Sequence, residues 1–220
     1  MHKVCFWFGL YNEVELANRL VTQLQTYYDN PEIICVLDGT DIKPLAASKI
    51  TCIQGERLHL AEFGAAWVKR MFETFLDFSG ASAMVRLEPD TYINQAFKNI
   101  PSCDIGGNIL SLTNKLQYVH GGCVYFKREA VEKILESRLL DNLKYKTSEF
   151  SYKRFKAPYL LPFEKESTEE HIAEDIIFSD VIQQLKLQIS NWQEVWSRIR
   201  EDCPNPENYT VVHPVKSLCP

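Results

Sequence analysis

Short apolar runs, each followed by a stretch of helical spacing, alternate through the first half of the chain, and that alternation sets its fold class. Residues 4–9 read as a buried strand. Asn12 then reads as an N-cap with Glu15 as its capping-box partner. Ala17, Leu20, Val21 and Leu24 follow at helical spacing. Pro31 separates this helix from a second apolar strand at 33–37, and a third is expected at 49–53. A long helix is expected over 60–78, with Gly64, Trp67, Val68, Met71, Phe72, Phe75 and Leu76 on one face and Ser79-Gly80 as its stop. Further strands are expected at 84–87 and 104–110, with Gly121-Gly122 opening another at 123–126. Helices are expected at 129–137 and along Ile172, Ile176, Ile177, Val181 and Leu185, the latter behind a capping box of Ser167 and Glu170. The tail is rich in proline apart from a short strand at 210–213. Strand and helix in turn make an α/β fold with a mostly parallel central sheet flanked by helices, here one domain over 1–220.

Composition narrows the partners. The chain has 220 residues, 45% hydrophobic and 24% charged, enough for a full core without a metal or disulfide staple. A formal net charge of −5 argues against nucleic acid, which requires a clustered basic surface. The longest apolar runs, such as 4–10, are too short to span a bilayer. No signal-peptide pattern precedes the first strand. Seven cysteines include no C-x-x-C pair, and Cys5, Cys35, Cys52 and Cys123 sit in apolar runs, so reduced core thiols and a cytoplasmic location are expected.

Ligands of such sheets bind beyond the carboxyl ends of the strands. Asn12, Asp38, Glu88 and Asp90 each follow an expected strand, so the fold lines them along one rim. Two acids two positions apart in the turn Glu88-Pro89-Asp90 can face a hard cation such as Mg2+ or Mn2+, leaving positions for diphosphate oxygens. Solvated surface carboxylates are the plain alternative. Asp38 can bond a ribose hydroxyl or a base edge, or simply form an Asp-Gly turn. Gly121-Gly122 can admit a sugar close to the backbone, or make a tight turn. Asp175, early in a helix, is a candidate general base, although acids there also complement the helix dipole. His213 is a candidate metal ligand or a structural histidine. Arg70, on the long helix, joins Asn12, Asp38, Glu88 and Gly122 as a candidate cofactor-binding residue. The aromatic, basic stretch 143–166 has no clean period and is expected to be a loop able to close over the site.

Rival motifs fail on particular residues. Leu37-Asp38-Gly39-Thr40 echoes the loop of haloacid-dehalogenase-like phosphatases, but Val36 stands where the nucleophile would be. A dinucleotide fold needs Gly-x-Gly-x-x-Gly after the first strand, where this chain has Gly9-Leu10-Tyr11-Asn12-Glu13-Val14. A nucleotidyltransferase would want a Gly-rich basic loop near its start.

In order along the chain, these pieces resemble GT-A glycosyltransferases. The strand ending in Tyr11-Asn12-Glu13 and the run Glu32 to Asp41 are similar to that fold's opening and its acidic turn at the nucleotide. Val85-Arg86-Leu87-Glu88-Pro89-Asp90-Thr91-Tyr92-Ile93 resembles its Asp-x-Asp segment, as found in the fringe-like and β-1,3-galactosyltransferase group or in family-two-like enzymes. Gly121 to Ala130 and Ala173-Glu174-Asp175-Ile176 are similar to that group's Gly-Gly and Glu-Asp-Val segments. The resemblance covers nearly the whole chain, though each motif is short. It implies a metal-dependent, inverting transfer of a hexose from a nucleotide-sugar, UDP-linked, to a carbohydrate or lipid-linked acceptor. It implies that Asp90 and His213 hold Mn2+ or Mg2+, that Asp175 is the base, Asp38 a nucleotide contact and Gly122 part of the sugar pocket. Glu88 departs from the pattern's aspartate. The lack of the Golgi members' anchor suggests a soluble bacterial-type relative, and the Glu88 departure favours the alternative, a degenerate GT-A domain that binds sugar or a partner protein without turnover.

Overall fold

The computed structural model describes residues 3–39, 45, 49–58, 64–111, 117–141, 174–197 and 203–215. Two sheets organise them. The larger has seven strands: β1 (Val4–Leu10), β2 (Glu32–Asp38), β3 (Ile50–Gly55), β4 (Ala83–Leu87), β6 (Ile105–Ser111), β7 (Gln117–Lys127) and β8 (Ile189–Asn191). Their order is β3-β2-β1-β4-β7-β6-β8, with β7 antiparallel to both neighbours and the other pairs parallel. A smaller sheet joins β5 (Tyr92–Ile93), β10 (Val211–His213) and β9 (Val195–Ser197) in the order β5-β10-β9. Helices α1 (Val14–Tyr27), α2 (Gly64–Phe78), α3 (Arg128–Glu136) and α4 (Glu174–Gln184) flank the large sheet. The expected mostly parallel α/β architecture is the one observed.

Side chains of the central strands alternate between two apolar layers, as the two-residue strand period requires. Phe6, Phe8 and Leu10 of β1 pack with Ile33, Cys35 and Leu37 of β2 against Ala17, Leu20, Val21 and Leu24 of α1. Trp7, Ile34 and Val36 face the other way, onto Trp67, Met71, Phe72 and Phe75 of α2 and Ile177, Phe178 and Val181 of α4. A sheet covered on both faces explains why these strands read as unbroken hydrophobic runs. Trp7 donates its indole N–H to Thr74 Oγ1 at 2.9 Å, which satisfies a polar atom inside this layer. Gly9 lets α2 come close, since a Cβ there would lie 2.3 Å from Trp67 Cζ2.

Some local expectations change. Helix α1 starts at Val14, Glu13 stands at its N-cap without a side-chain cap, and Glu13 Oε2 instead accepts the Asn12 N–H at 3.2 Å. The Asn12–Glu15 capping box therefore does not form. Gly121-Gly122 is not a turn before a strand but lies within β7. Strands β5, β8 and β9 were not anticipated. The capping box at Ser167 and Glu170, the stretch 143–166 and the helix residues before Gly64 lie outside the described residues. Cys5, Cys35, Cys52, Cys103, Cys123 and Cys203 are free thiols.

Because β1, β2 and β4 are parallel, their carboxyl ends share one edge. Antiparallel β7 brings its leading residues to that same edge, where Leu87 pairs with Cys123 and Glu88 donates its N–H to Gly122 O at 3.2 Å. The Gly9→Ala variant is expected to lose about 1–3 kcal/mol of stability through overpacking against Trp67. Urea denaturation reads this as a lower midpoint at unchanged slope, and an unmoved midpoint would show that Trp67 yields freely.

Candidate functional site

Beyond β4 the chain turns sharply. Pro89 occupies the second position of a turn closed by Thr91 N–H donating to Glu88 O at 3.0 Å, a place its fixed φ favours. Thr91, fully buried, fastens the turn by accepting the Glu88 N–H at 3.2 Å and donating to Gly122 O at 3.2 Å. Next comes β5, so this turn is where the chain passes from the large sheet to the small one.

Asp90 projects from the turn toward β10. Its Oδ1 lies 3.0 Å from His213 Nε2, and its carbonyl accepts the Val215 N–H at 2.8 Å. Behind His213 the contacts continue: Nδ1 lies 3.3 Å from Ser197 Oγ, which lies 2.7 Å from His120 Nδ1. Ser197 and His213 are partners in the β9–β10 register, which sets them side by side. Burial, reinforced by the neighbouring His213 and Arg86, holds the His120 imidazole neutral, its pKa pushed down to about 3. Gly122 makes room for the whole group, because a Cβ there would lie 2.1 Å from His213 Nδ1 and 2.5 Å from Ser197 Oγ. The space expected to receive a sugar at Gly122 is thus filled by the His213 ring.

The residues present suit a divalent cation. Carboxylate oxygen and imidazole nitrogen are both ligands of first-row divalent ions. Their separation of 3.0 Å matches adjacent positions on an octahedral ion with bonds of about 2.1 Å. Among the described residues no cluster of three or more His, Cys, Asp or Glu could hold a metal. Two protein ligands with the other positions left to substrate oxygens and water is the usual arrangement for ions that grip phosphates.

Glu88 does not point at Asp90's partner. Its carboxylate accepts from Arg86 Nη2, which also donates to Glu174 Oε1 at the start of α4. Arg86 is only 2% exposed, and a buried guanidinium requires such partners. Asp175 lies beside this group: a Cβ on Gly121 would sit 2.7 Å from Arg86 Nη1 and 3.5 Å from Asp175 Cβ. Burial raises the Asp175 pKa to about 6, against the opposing pull of Arg86 and of the Ile176, Asp175 and Gly121 amides. One of these amides is Ile176 N–H, which donates to Asp175 Oδ1 at 2.9 Å.

Two strands away, Asp38 ends β2 with 1% exposure. Its Oδ1 accepts the Leu58 N–H at 2.6 Å and lies 3.8 Å from Arg70 Nη1. Arg70 also donates to Glu56 O at 2.5 Å, in space left by Gly55, whose Cβ would come within 2.8 Å of Arg70 Nη1. Asn12 is exposed at the end of β1, next to Tyr11, whose ring carries the Arg57 guanidinium at 3.1 Å from its centroid.

The structure therefore joins Asp90, His213 and Gly122 in one group and Asp38 with Arg70 in another. Glu88 is tied through Arg86 to the residue beside Asp175. Sequence reasoning missed Arg86, Ser197 and His120. A lone arginine inside an otherwise apolar strand was a usable signal for the first. Nothing local marked the other two.

No family model matches the chain, and no curated protein does. Among solved structures it is similar to the mannosyltransferase PcManGT from Pyrobaculum calidifontis, solved in complex with GDP-Man and Mn2+, at 17% identity and a TM-score of 0.44. That likeness covers 60% of this chain and 46% of the other, so this chain spans less than half the length of that protein. The functional reading accordingly rests on this chain's own residues.

The pKa of Asp175 has a stability consequence. A carboxyl whose folded value lies above its free value favours the native state when protonated, so its contribution is full below about pH 4 and is lost as pH rises through about 6. Asp175→Asn removes that loss. The variant should melt higher than the parent at pH 8, by at most about 3 kcal/mol in stability, and match it near pH 4. Thermal melts across that range check this, and a gain independent of pH would remove burial of the charge as its cause.

Proposed function

We propose that the chain is a GT-A-type glycosyltransferase that moves a hexose from a nucleoside-diphosphate sugar to the hydroxyl of a carbohydrate or lipid-linked acceptor. One observation carries this reading above the others. Asp90, in the turn that follows β4, and His213, on β10 of the small sheet, meet at 3.0 Å by the edge where the parallel strands end. Such edges of α/β sheets are where ligands bind.

Asp90 and His213 would hold Mn2+ or Mg2+. When bound, the ion supplies charge neutralisation to the departing diphosphate. Asp38 at the end of β2, with Arg70 of α2 beside it, would meet the nucleoside, and Asn12 follows β1, the strand between β2 and β4. Asp175 takes the proton from the acceptor hydroxyl as its oxygen attacks the anomeric carbon. The bond from that carbon to the diphosphate oxygen breaks, and the electron pair leaves with the nucleoside diphosphate. A base with a pKa of about 6 is ionised at neutral pH yet basic enough to accept a proton in the transition state. Direct attack from the face opposite the diphosphate inverts the anomeric configuration.

A second reading has its own support. Glu88 gives its carboxylate to Arg86, which leaves one acid of the Glu88-Pro89-Asp90 pair for a cation. A domain so altered could bind a nucleotide-sugar or a protein without turnover.

Melting curves with MnCl2 and either UDP or GDP separate these readings. The wild type should gain about 2.7 kcal/mol at a hundredfold excess over Kd, only when metal and nucleotide are both present. Asp90→Ala should lose the joint effect, and an Asp90→Ala variant stabilised like wild type would remove Asp90 from the role. In donor-hydrolysis and transfer assays, Asp175→Asn should bind donor normally while turnover falls by about 10²–10⁴-fold. Donor binding with no release of nucleoside diphosphate in the parent would favour the second reading.

A further inference from the structure

Resting on the cation site just proposed, we infer that Ser197 and His120 are positioning residues that hold His213 in the tautomer whose Nε2 lone pair faces Asp90. Gly122 directs its N–H at His120 Nδ1 at 3.4 Å, so that nitrogen is an acceptor and carries no hydrogen. Ser197 Oγ, 2.7 Å from the same nitrogen, must then donate its only hydrogen to it. With its hydrogen committed, Ser197 Oγ can only accept at the 3.3 Å contact with His213 Nδ1, so the proton there belongs to His213. A neutral His213 protonated on Nδ1 has a bare lone pair on Nε2, and that atom lies 3.0 Å from Asp90 Oδ1. Two acceptors at this distance repel unless a cation or a proton stands between them. The chain of contacts thus turns Nε2 toward Asp90, where the neutral ring offers its lone pair to a cation.

Burial agrees with this role. Ser197 is fully buried, so its hydroxyl is out of reach of an external substrate and is left to orient its neighbours. Partners that fix the ring of a ligating histidine alter metal affinity by about 10–100-fold when removed.

The test has two parts. In the metal-free wild type, long-range 1H–15N spectra of 15N-histidine-labelled protein should show His213 protonated on Nδ1 and His120 on Nε2. Titration with MnCl2 in the presence of UDP or GDP, followed by electron paramagnetic resonance, should show Ser197→Ala binding Mn2+ about 10–100-fold more weakly. Ser197→Thr, which keeps the hydroxyl, should restore binding. A neutral His213 found protonated on Nε2 in the wild type overturns the inference. So does Ser197→Ala binding Mn2+ like wild type while Asp90→Ala does not. If the wild type binds no Mn2+, the functional reading falls, and the histidine spectra still decide the tautomer. The same spectra decide it if Ser197→Ala does not fold.

Discussion

A side chain at position 122 and the imidazole of His213 would need the same space, since an added Cβ would lie 2.1 Å from Nδ1. The bare backbone of β7 at this point lets the small sheet lie against the end of the large one. That contact places His213 opposite Asp90, and it carries Ser197 and His120 in behind. The Glu88–Thr91 turn depends on it too, because Thr91 is fastened to the carbonyl of the same glycine. Without this close approach, β10 would have to move outward and the pair at 3.0 Å would separate. The glycine serves a union of backbone and ring rather than a flexible hinge.

Much of the layered fold could be read from the chain because its signal is periodic. Central strands covered on both faces give unbroken apolar runs, and α1 and α2 repeat their apolar residues at helical spacing, so each element announces itself within a short window. Strands β5, β8 and β9 are two or three residues long, too short for any period to show. Gly121-Gly122 misled for a physical reason. Glycines usually mark turns, but here they sit in a strand because Arg86 and His213 press against it from its two sides.

For the site, the residues named by local motif were Asp38, Glu88, Asp90, Asp175 and His213. The pairing of Asp90 with His213 came from the resemblance, and the partners behind them were not legible. Arg86 meets Glu174 across 88 positions, and His120 meets Ser197 across 77. No local pattern records a partner so distant. The parallel order of β1, β2 and β4 accounts for the shared rim, and the antiparallel entry of β7 accounts for the rest. That entry follows from a pairing decision between strands, which hydrophobic spacing does not encode.

The glutamate at position 88 follows from the same buried charge. Arg86 and Glu88 are two apart on an extended chain and so leave it on one side, where a carboxylate can fold back onto the guanidinium. Arg86, at 2% exposure, is surrounded by core and needs its charge compensated. Glu88 and Glu174 together supply that compensation, one from the strand and one from the first turn of α4. Beside this group, burial raises the Asp175 pKa to about 6 against the opposing pull of Arg86 and of the neighbouring amides. The first acid of the Glu88-Pro89-Asp90 turn is thus engaged by a buried guanidinium. In the proposed function, that leaves Asp90 and His213 as the pair for the cation and Asp175 for the proton.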